Sequence, residues 1–167
     1  MEIEKDLEQF SLKIMRNLQL QGKHNILQGY RNKSSVADFI DCLLENAYKL
    51  QASDIHLEPQ EKYLQIRYRI DGKLILIYKA SNKISNFLIS YLKLISNLDI
   101  AEKRLPQDGK FIFSAQNIDI RISTIPVLFG EKVVLRLLGN KENLLNLNQM
   151  GFSKMNLKYF KFILENP

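Results

Sequence analysis

The chain has 167 residues, of which 46% are hydrophobic and 25% charged, a balance typical of a soluble globular protein with a core of its own. No apolar run approaches the roughly 20 residues of a membrane span, and charged residues throughout the first twenty positions exclude a signal peptide, which predicts a cytoplasmic protein. The single cysteine, Cys42, excludes an intramolecular disulfide and a multi-cysteine metal site, and the net charge of +6 favours anionic partners.

The N-terminal part predicts a short amphipathic helix followed by a linker. Apolar side chains recur near the helical period at Leu7, Phe10, Ile14 and Leu18. A polar stretch with two glycines follows, so residues 1–33 are predicted to be an N-terminal helix and linker. Ser35 is then predicted to cap a helix whose apolar stripe extends from Val36 to Leu50.

The next segments alternate between strand and helix patterns. "DIHLE" predicts a short strand, and "YLQIRYRIDGKLILIY" predicts a hairpin around Asp71-Gly72, a pair suited to a type I′ turn. The first arm of this hairpin is apolar on one face and basic on the other, where Arg67 and Arg69 lie. Residues 82–98 return to helical spacing with an apolar stripe that includes Phe87, and this helix is predicted to cover the sheet.

A charged connection leads into three further predicted strands. In "LDIAEKRLPQDGKFIF", Pro106 and the pair Asp108-Gly109 predict a turn before a strand. "KFIFSA", "IDIRIST" and "EKVVLRLL" are then predicted strands, and a helix is predicted from Ser153 to about residue 165. Residues 34–138 therefore predict an α+β domain with a mostly antiparallel sheet and helices packed on one side, and residues 139–167 a linker and helix.

Five motifs give this chain a specific resemblance. "ASDIHLEP", "RYRIDGKL", "LDIAEKRLPQDGK", "IDIRISTIPVLFGEKVVLRLL" and the trailing "QMG" occur in this order between Gln51 and Gly151. In sequence and spacing they resemble the second N-terminal domain of the bacterial ATPases that power type II secretion, type IV pilus assembly and related competence systems. The resemblance implies a PAS-like α+β domain.

The resemblance also implies a part in an ATP-driven ring. Such ATPases form hexamers in which the N-terminal domain closes over nucleotide bound to the C-terminal domain and contributes arginines to its phosphates. The matching positions here are Arg121 in "IDIRIST" and Arg136 in "KVVLRLL". A guanidinium suits this role because it is planar, permanently charged and able to pair bidentately with phosphate oxygens. A solvated strand face is the alternative explanation for both residues.

The charged connection adds candidates to the same implied surface. Arg104 is a third candidate for phosphate contact. Lys110 stands where the family usually has arginine, which keeps the charge but loses the bidentate fork. Arg67, Arg69 and Lys110 are predicted to belong to an interdomain face. A local set of salt bridges joining Glu102 to Arg104 or Lys103 is the alternative for the connection itself.

The sequence lacks the phosphate loop of an ATPase, since no G-x-x-x-x-G-K-[ST] occurs in it. We therefore expect this chain to be an N-terminal piece of a longer ATPase, inactive and without bound nucleotide on its own, whose parent uses ATP and Mg²⁺. Its expected place is the cytoplasm, peripheral to the inner membrane. Its expected partners are the C-terminal ATPase domain of the same or a neighbouring subunit and inner-membrane assembly proteins, the latter through residues 1–20.

Two other interpretations stay open at this point. The basic strand face suits a nucleic-acid-binding module, although no motif for reading RNA or DNA occurs, and the fold also suits a protein scaffold without any link to an ATPase. A smaller question concerns Asp54, His56 and Glu58, which alternate on one strand face as metal ligands or acid-base groups do. With two histidines in the chain, a hydrogen-bonded structural role for His56 is the favoured interpretation.

Overall fold

The computed structural model describes residues 2–20, 33–138, 147–149 and 151–165, so most of the two predicted linkers lies outside the described residues. Within these ranges the chain forms four α-helices, six β-strands and a short 3₁₀ helix at Leu147–Gln149. The helices are α1 (Glu2–Leu20), α2 (Lys33–Lys49), α3 (Asn82–Ile95) and α4 (Lys154–Glu165). The strands are β1 (Asp54–Pro59), β2 (Tyr63–Ile70), β3 (Lys73–Ser81), β4 (Gln107–Phe113), β5 (Ile118–Val127) and β6 (Gly130–Leu138).

The six strands form a single antiparallel sheet in the order β3-β2-β1-β6-β5-β4. β1 pairs with β2 on one side and with β6 on the other, so it joins the first hairpin to the three C-terminal strands. This topology brings residues distant in sequence into register. Asp54 lies opposite Arg69 on β2 and opposite Arg136 on β6. The predicted α+β fold with an antiparallel sheet is confirmed.

One face of the sheet is apolar and carries the helix layer. Its central side chains have at most 1% of their surface exposed: Ile55, Leu57, Leu64, Ile66, Tyr68, Ile120, Val133 and Leu135. The Tyr68 hydroxyl donates a hydrogen bond to the Leu43 carbonyl of α2 at 2.7 Å, which satisfies a phenol that would otherwise be buried without a partner. Burial raises the pKa of Tyr68 well above its usual value.

Helix α1 belongs to this layer. It packs against α2, α3 and β3, and its Leu7 side chain is fully buried. Ser11 is also buried and hydrogen-bonds Tyr78 of β3. The apolar side of the predicted amphipathic helix therefore packs on the core of the domain. The side chains of Ile14 and Leu18, predicted members of the same stripe, lie outside the described residues.

Two details of the helices differ from the prediction. α2 begins at Lys33, so Ser35 lies inside its first turn and is buried, and its hydroxyl does not cap the helix. In α3 the buried stripe is centred on Ile84, Leu88 and Leu92, with Ile89 on its flank. Phe87 lies on the other flank and keeps 40% of its surface exposed. The sequence placed it in the buried stripe, since helical periodicity alone does not fix which flank of an apolar stripe meets the sheet.

Of two turns predicted from Asp-Gly pairs, the structure confirms the first and not the second. Asp71 and Gly72 both have positive φ, 48° and 77°, as the predicted type I′ turn requires. The predicted turn at Asp108-Gly109 is wrong, because β4 already begins at Gln107. A Cβ on Gly109 would lie 2.9 Å from the Leu98 side chain and 3.0 Å from the Ser96 carbonyl oxygen, so glycine is required there for close packing.

Candidate functional site

The sheet face opposite the helices, here called the open face, is polar and rich in cations. Strand alternation places on it the charged residues Asp54 and Glu58 of β1, Arg67 and Arg69 of β2, Lys79 of β3, Asp108 and Lys110 of β4, Asp119 and Arg121 of β5, and Lys132 and Arg136 of β6. The two strand arginines predicted to contact phosphate are both exposed on this face. The open face therefore collects most of the candidate residues.

Five of these residues form a line across the sheet, which we call the cationic row: Arg69, Asp54, Arg136, Arg121 and Lys110. Each is the register partner of the next on the neighbouring strand. Asp54 Oδ1 accepts a hydrogen bond from Arg136 Nε at 2.9 Å, and its Oδ2 lies 3.3 Å from Arg69 Nε. The row thus contains four cations and one carboxylate, and Asp54 pairs with two of them, Arg69 and Arg136.

The outer part of the row has no ion pair among the described residues, although Asp108 and Asp119 lie on the same face, two residues from Lys110 and Arg121 along their strands. Arg121 and Lys110 make no ion pair or hydrogen bond through their side chains with any described residue, although Arg121 lies directly opposite Arg136. Like charges placed opposite one another on a sheet are destabilising. Arg136 is held through Nε, so its two terminal nitrogens are not engaged by any described residue. The arrangement can accept an anion without breaking an existing contact.

The electrostatics of Asp54 anchor this arrangement. Burial by itself would raise the pKa of the Asp54 carboxyl, but hydrogen bonds from Arg136 and Ser53 outweigh it and hold the pKa below its ordinary value. Asp54 is therefore ionised at neutral pH and fixes Arg136 in place. This role was not predicted from the sequence, which placed Asp54 in the "ASDIHLEP" motif and considered it as a possible metal ligand or acid-base group beside His56.

A second cluster on the open face is already neutralised. Glu58 forms ion pairs with Arg67 and with Lys132, the latter at 2.7 Å. Burial would raise the pKa of Glu58, but hydrogen bonds from Lys132 and Arg67 hold it below its ordinary value. These three residues and the apolar β5–β6 turn line a cleft of about 320 Å³. Arg67 is thus separate from the cationic row and has a structural ion pair.

His56 lies between the two clusters on β1, with 7% of its surface exposed. Neither ring nitrogen has a hydrogen-bond partner among the described residues, so the predicted hydrogen-bonded histidine is wrong. The flanking carboxylates are not available to it, because arginine and lysine side chains already occupy them. In the part of the chain that the structure describes, no group of three potential metal ligands comes together.

The charged connection before β4 is held by a network of hydrogen bonds. The Gln107 amide accepts from the Asp99 N–H at 2.9 Å and donates to the Asp99 carbonyl at 3.0 Å. Lys93 of α3 is buried, donates to the Glu102 carbonyl at 2.6 Å and forms an ion pair with the buried Glu131 of β6. The loop is therefore fixed from two sides.

Arg104 is presented at the tip of this fixed loop. Its side chain is 91% exposed and lies 3.8 Å from a carboxylate oxygen of Glu102, the weak local pair considered above. Its backbone N–H donates to the same carboxylate, which lowers the pKa of Glu102. The loop precedes β4, and Gln107 lies three residues from Lys110 along that strand, so Arg104 is outside the cationic row.

Lys93 and Glu131 were missed in the sequence. Lys93 stands four residues after the buried Ile89 and eight after the buried Ser85, on one side of α3. A lysine at such a buried helical position is a signal that a carboxylate must lie opposite, since lysine is almost never fully buried unpaired. Which carboxylate it meets depends on how α3 crosses β6, and a local pattern cannot give that.

Comparison with known proteins decides the family. Residues 30–167 match the family model described as "Type II/IV secretion system protein". The chain belongs to this family. It is 40% identical over 135 residues to the type IV pilus assembly ATPase PilB of Myxococcus xanthus, covering 79% of this chain and 24% of that protein. It is 42% identical over 130 residues to type II secretion system protein E of Pectobacterium carotovorum subsp. carotovorum, covering 77% of this chain and 26% of that protein.

One further curated relative and one solved structure are similar to the chain. Type II secretion system ATPase E of Vibrio cholerae is 40% identical over 134 residues, which cover 79% of this chain and 27% of that protein. The crystal structure of the pilus retraction motor PilT with bound ADP matches with a TM-score of 0.46 and 17% identity, over 71% of this chain and 34% of that one. The chain thus spans about a quarter of the length of these curated relatives. No helix within the described ranges is long and apolar enough to span a membrane.

Proposed function

We propose that this chain is the N-terminal regulatory domain of a hexameric ATPase that powers protein secretion or type IV pilus assembly. Its open face closes over ATP and Mg²⁺ held by the C-terminal ATPase domain of the same or a neighbouring subunit. Arg121 and Arg136 then contact the phosphates, with Arg104 as a third contact. The protein acts in the cytoplasm, peripheral to the inner membrane. The support is the family, whose relatives are named as ATPases, together with the cationic row.

The observation that carries the proposal is the pair of neighbouring arginines at the centre of the row, of which only Arg136 has an ion pair. Arg121 has no partner among the described residues, and its neighbour Arg136 keeps its terminal nitrogens unengaged. Two forks side by side, on a rigid sheet, suit an anion with several oxygens such as a triphosphate. An ordinary solvated strand face gains nothing from placing like charges opposite one another.

The other cations have distinct parts in this proposal. Lys110 extends the row as a point charge, and Arg69 helps Asp54 hold the row in register. Arg104 reaches out from the loop that Lys93 and Gln107 hold. Arg67, by contrast, stabilises the fold through Glu58 and contributes to an interdomain face only as part of that pair.

Contact with inner-membrane assembly proteins involves α1 in this proposal, and the structure limits which side of the helix is available. Leu7 and Ser11 are buried against the domain. Leu12 is 49% exposed on the outer side. A partner that binds residues 1–20 without unfolding the domain must therefore bind this outer side.

The test is steady-state turnover of the full-length ATPase. An arginine of this type is worth roughly 10³ to 10⁵ in rate where it acts alone, and sharing the duty makes each contribution smaller. Arg121→Ala should lower kcat by more than about tenfold at unchanged melting temperature, because Arg121 has no structural partner to lose. Arg136→Ala should lower both, because Asp54 loses its hydrogen bond.

Two controls make this test specific. Arg121→Lys keeps the charge but not the fork, so it should recover only part of the rate. Lys83→Ala removes an exposed cation from α3, which belongs to the helix layer on the other side of the sheet from the cationic row, and it should leave kcat unchanged. Normal turnover in both arginine variants would reject the assignment. Salt-sensitive binding of duplex DNA by the chain, lost in Arg121→Ala, would instead favour the nucleic-acid-binding alternative.

A further inference from the structure

Strand β3 forms one edge of the sheet and pairs only with β2. Its first half has three consecutive large apolar side chains in solvent: Leu74, Ile75 and Leu76 are 36%, 45% and 48% exposed. Leu74 and Leu76 lie on the open face beside Arg69 and Arg67, and Ile75 lies on the helix side. The edge is thus apolar on both faces and carries backbone groups with no partner strand among the described residues.

The opposite edge of the sheet is protected differently. On β4 the exposed Ile112 follows the charged Asp108 and Lys110 on the same face, and charges on an edge strand oppose the addition of another strand. β3 has its charges at the ends instead, at Lys73 and Lys79. The pairing with β2 shifts register between Ile66 and Arg67, which leaves a regular ladder over residues 73–76. The apolar edge is therefore short and bounded by lysines.

Charge decides which kind of strand this edge can accept. β3 contains two lysines and no acidic residue, and the chain has a net charge of +6. A second copy of this chain would bring two basic edges together, which charge repulsion opposes. A strand with acidic residues flanking an apolar centre would place carboxylates near Lys73 and Lys79 and cover the apolar triplet.

We propose that the β3 edge is a docking site for an extended segment of another protein, with an apolar centre and acidic flanks, which adds to the sheet as a seventh strand. Backbone hydrogen bonds to residues 73–76 supply affinity, and the flanking charges and alternating side chains supply selectivity. This surface lies at the end of the sheet away from β4 and β5, so its occupation is independent of the proposed contact between Arg121 and phosphate.

The experiment uses the 167-residue chain and a fluorescein-labelled peptide, Glu-Thr-Val-Ile-Val-Thr-Glu, with a second peptide that carries lysines at both ends. Fluorescence anisotropy should show binding of the acidic peptide and little binding of the lysine peptide. In Lys73→Glu/Lys79→Glu the affinity for the acidic peptide should fall by about tenfold or more, and the lysine peptide should now bind. The matched control, Lys154→Glu/Lys158→Glu, makes the same change in net charge at two exposed positions of α4 and should bind like the original chain.

A further variant guards against an indirect effect. Lys79 lies over the Tyr63 ring, 4.8 Å from its centroid, so charge reversal there also removes a local contact. Leu76→Lys leaves that contact intact and should abolish binding by placing a charge in the apolar triplet. Equal binding of the two peptides, or an equal loss in the control, would overturn the proposal. So would dimerisation of the chain that Leu76→Lys abolishes, since the edge would then belong to a second copy.

Discussion

His56 is buried on the open face without a hydrogen-bond partner among the described residues, while the carboxylates on either side of it each hold two cations. Burial lowers the pKa of the imidazole below its usual value. Glu58 and Asp54 raise this pKa, but Lys132 and Arg69 lower it further. The histidine is therefore neutral at neutral pH. Protonating it would add a positive charge to a face that already carries more cations than carboxylates.

This state of His56 predicts a loss of stability in mild acid. Because its folded pKa lies below the unfolded value of about 6.5, the unfolded chain binds the proton first. The stability contributed by the neutral imidazole is complete above that value and is lost as the pH falls through it toward the folded pKa. Urea unfolding from pH 8 to pH 5 should show a falling free energy of unfolding, and His56→Gln should flatten the slope.

The chain offers a matched comparison for that measurement. His24 is the other histidine, and His24→Gln removes the same number of titrating groups. If the slope between pH 5 and pH 7 survives in His56→Gln, or disappears in His24→Gln, the interpretation of His56 is wrong.

At the scale of single residues, strand alternation predicted only part of the site. It placed Arg121 and Arg136 away from the core, and both are exposed. It did not predict that they are register neighbours, or that Arg136 is held by a carboxylate 82 residues earlier. Such pairing depends on strand order, which non-local contacts decide and a local pattern does not contain. Their contact with phosphate stays a prediction.

At the scale of elements, the charged connection shows how a loop is made rigid without regular structure. Hydrogen bonds to backbone groups, and not only ion pairs between its charged side chains, hold this loop. Backbone groups of Asp99 and Glu102 bind the Gln107 amide, and the buried Lys93–Glu131 pair ties α3 and β6 to the same loop. The sequence predicted an ordered loop but placed its turn at Gly109, where glycine instead permits close packing on Ser96.

The Lys93–Glu131 pair gives a prediction for the stability of this region. Removing one partner of a buried ion pair leaves an uncompensated charge, which costs about 3–5 kcal/mol. Lys93→Met should therefore destabilise the chain by about that amount in urea unfolding, with an added loss from the unpaired Glu102 carbonyl. The double variant Lys93→Met/Glu131→Met buries no charge and should be more stable than Lys93→Met alone.

The comparison needs a lysine on the same helix. Lys83 is exposed on α3, and Lys83→Met should change the free energy of unfolding by less than about 0.5 kcal/mol. If the change in the free energy of unfolding in the double variant equals the sum of the changes in the two single variants, Lys93 and Glu131 do not act as a pair.

At the scale of the whole molecule, the two faces of the sheet differ in composition, one being apolar and the other charged. Apolar burial is confined to the helix side, and the strand cations gather on the open face. Hydrophobic periodicity predicted this division and the α+β class, because both follow from local alternation. It did not predict that α1 joins the helix layer, since an isolated amphipathic stripe does not reveal which surface it covers.

The membership of α1 in the core leads to the last prediction. Leu7 is fully buried where α1 meets the rest of the layer, whereas Leu12 on the same helix is 49% exposed. Leu7→Ala removes the same atoms as Leu12→Ala but leaves a cavity, so it should cost about 2–5 kcal/mol in urea unfolding. Leu12→Ala should cost less than about 0.5 kcal/mol. The whole chain should still unfold in one transition in Leu7→Ala, because α1 shares its core with α2, α3 and β3. Equal, small effects of the two substitutions, or a separate early transition for α1, would show that the helix is only an appendage of the domain.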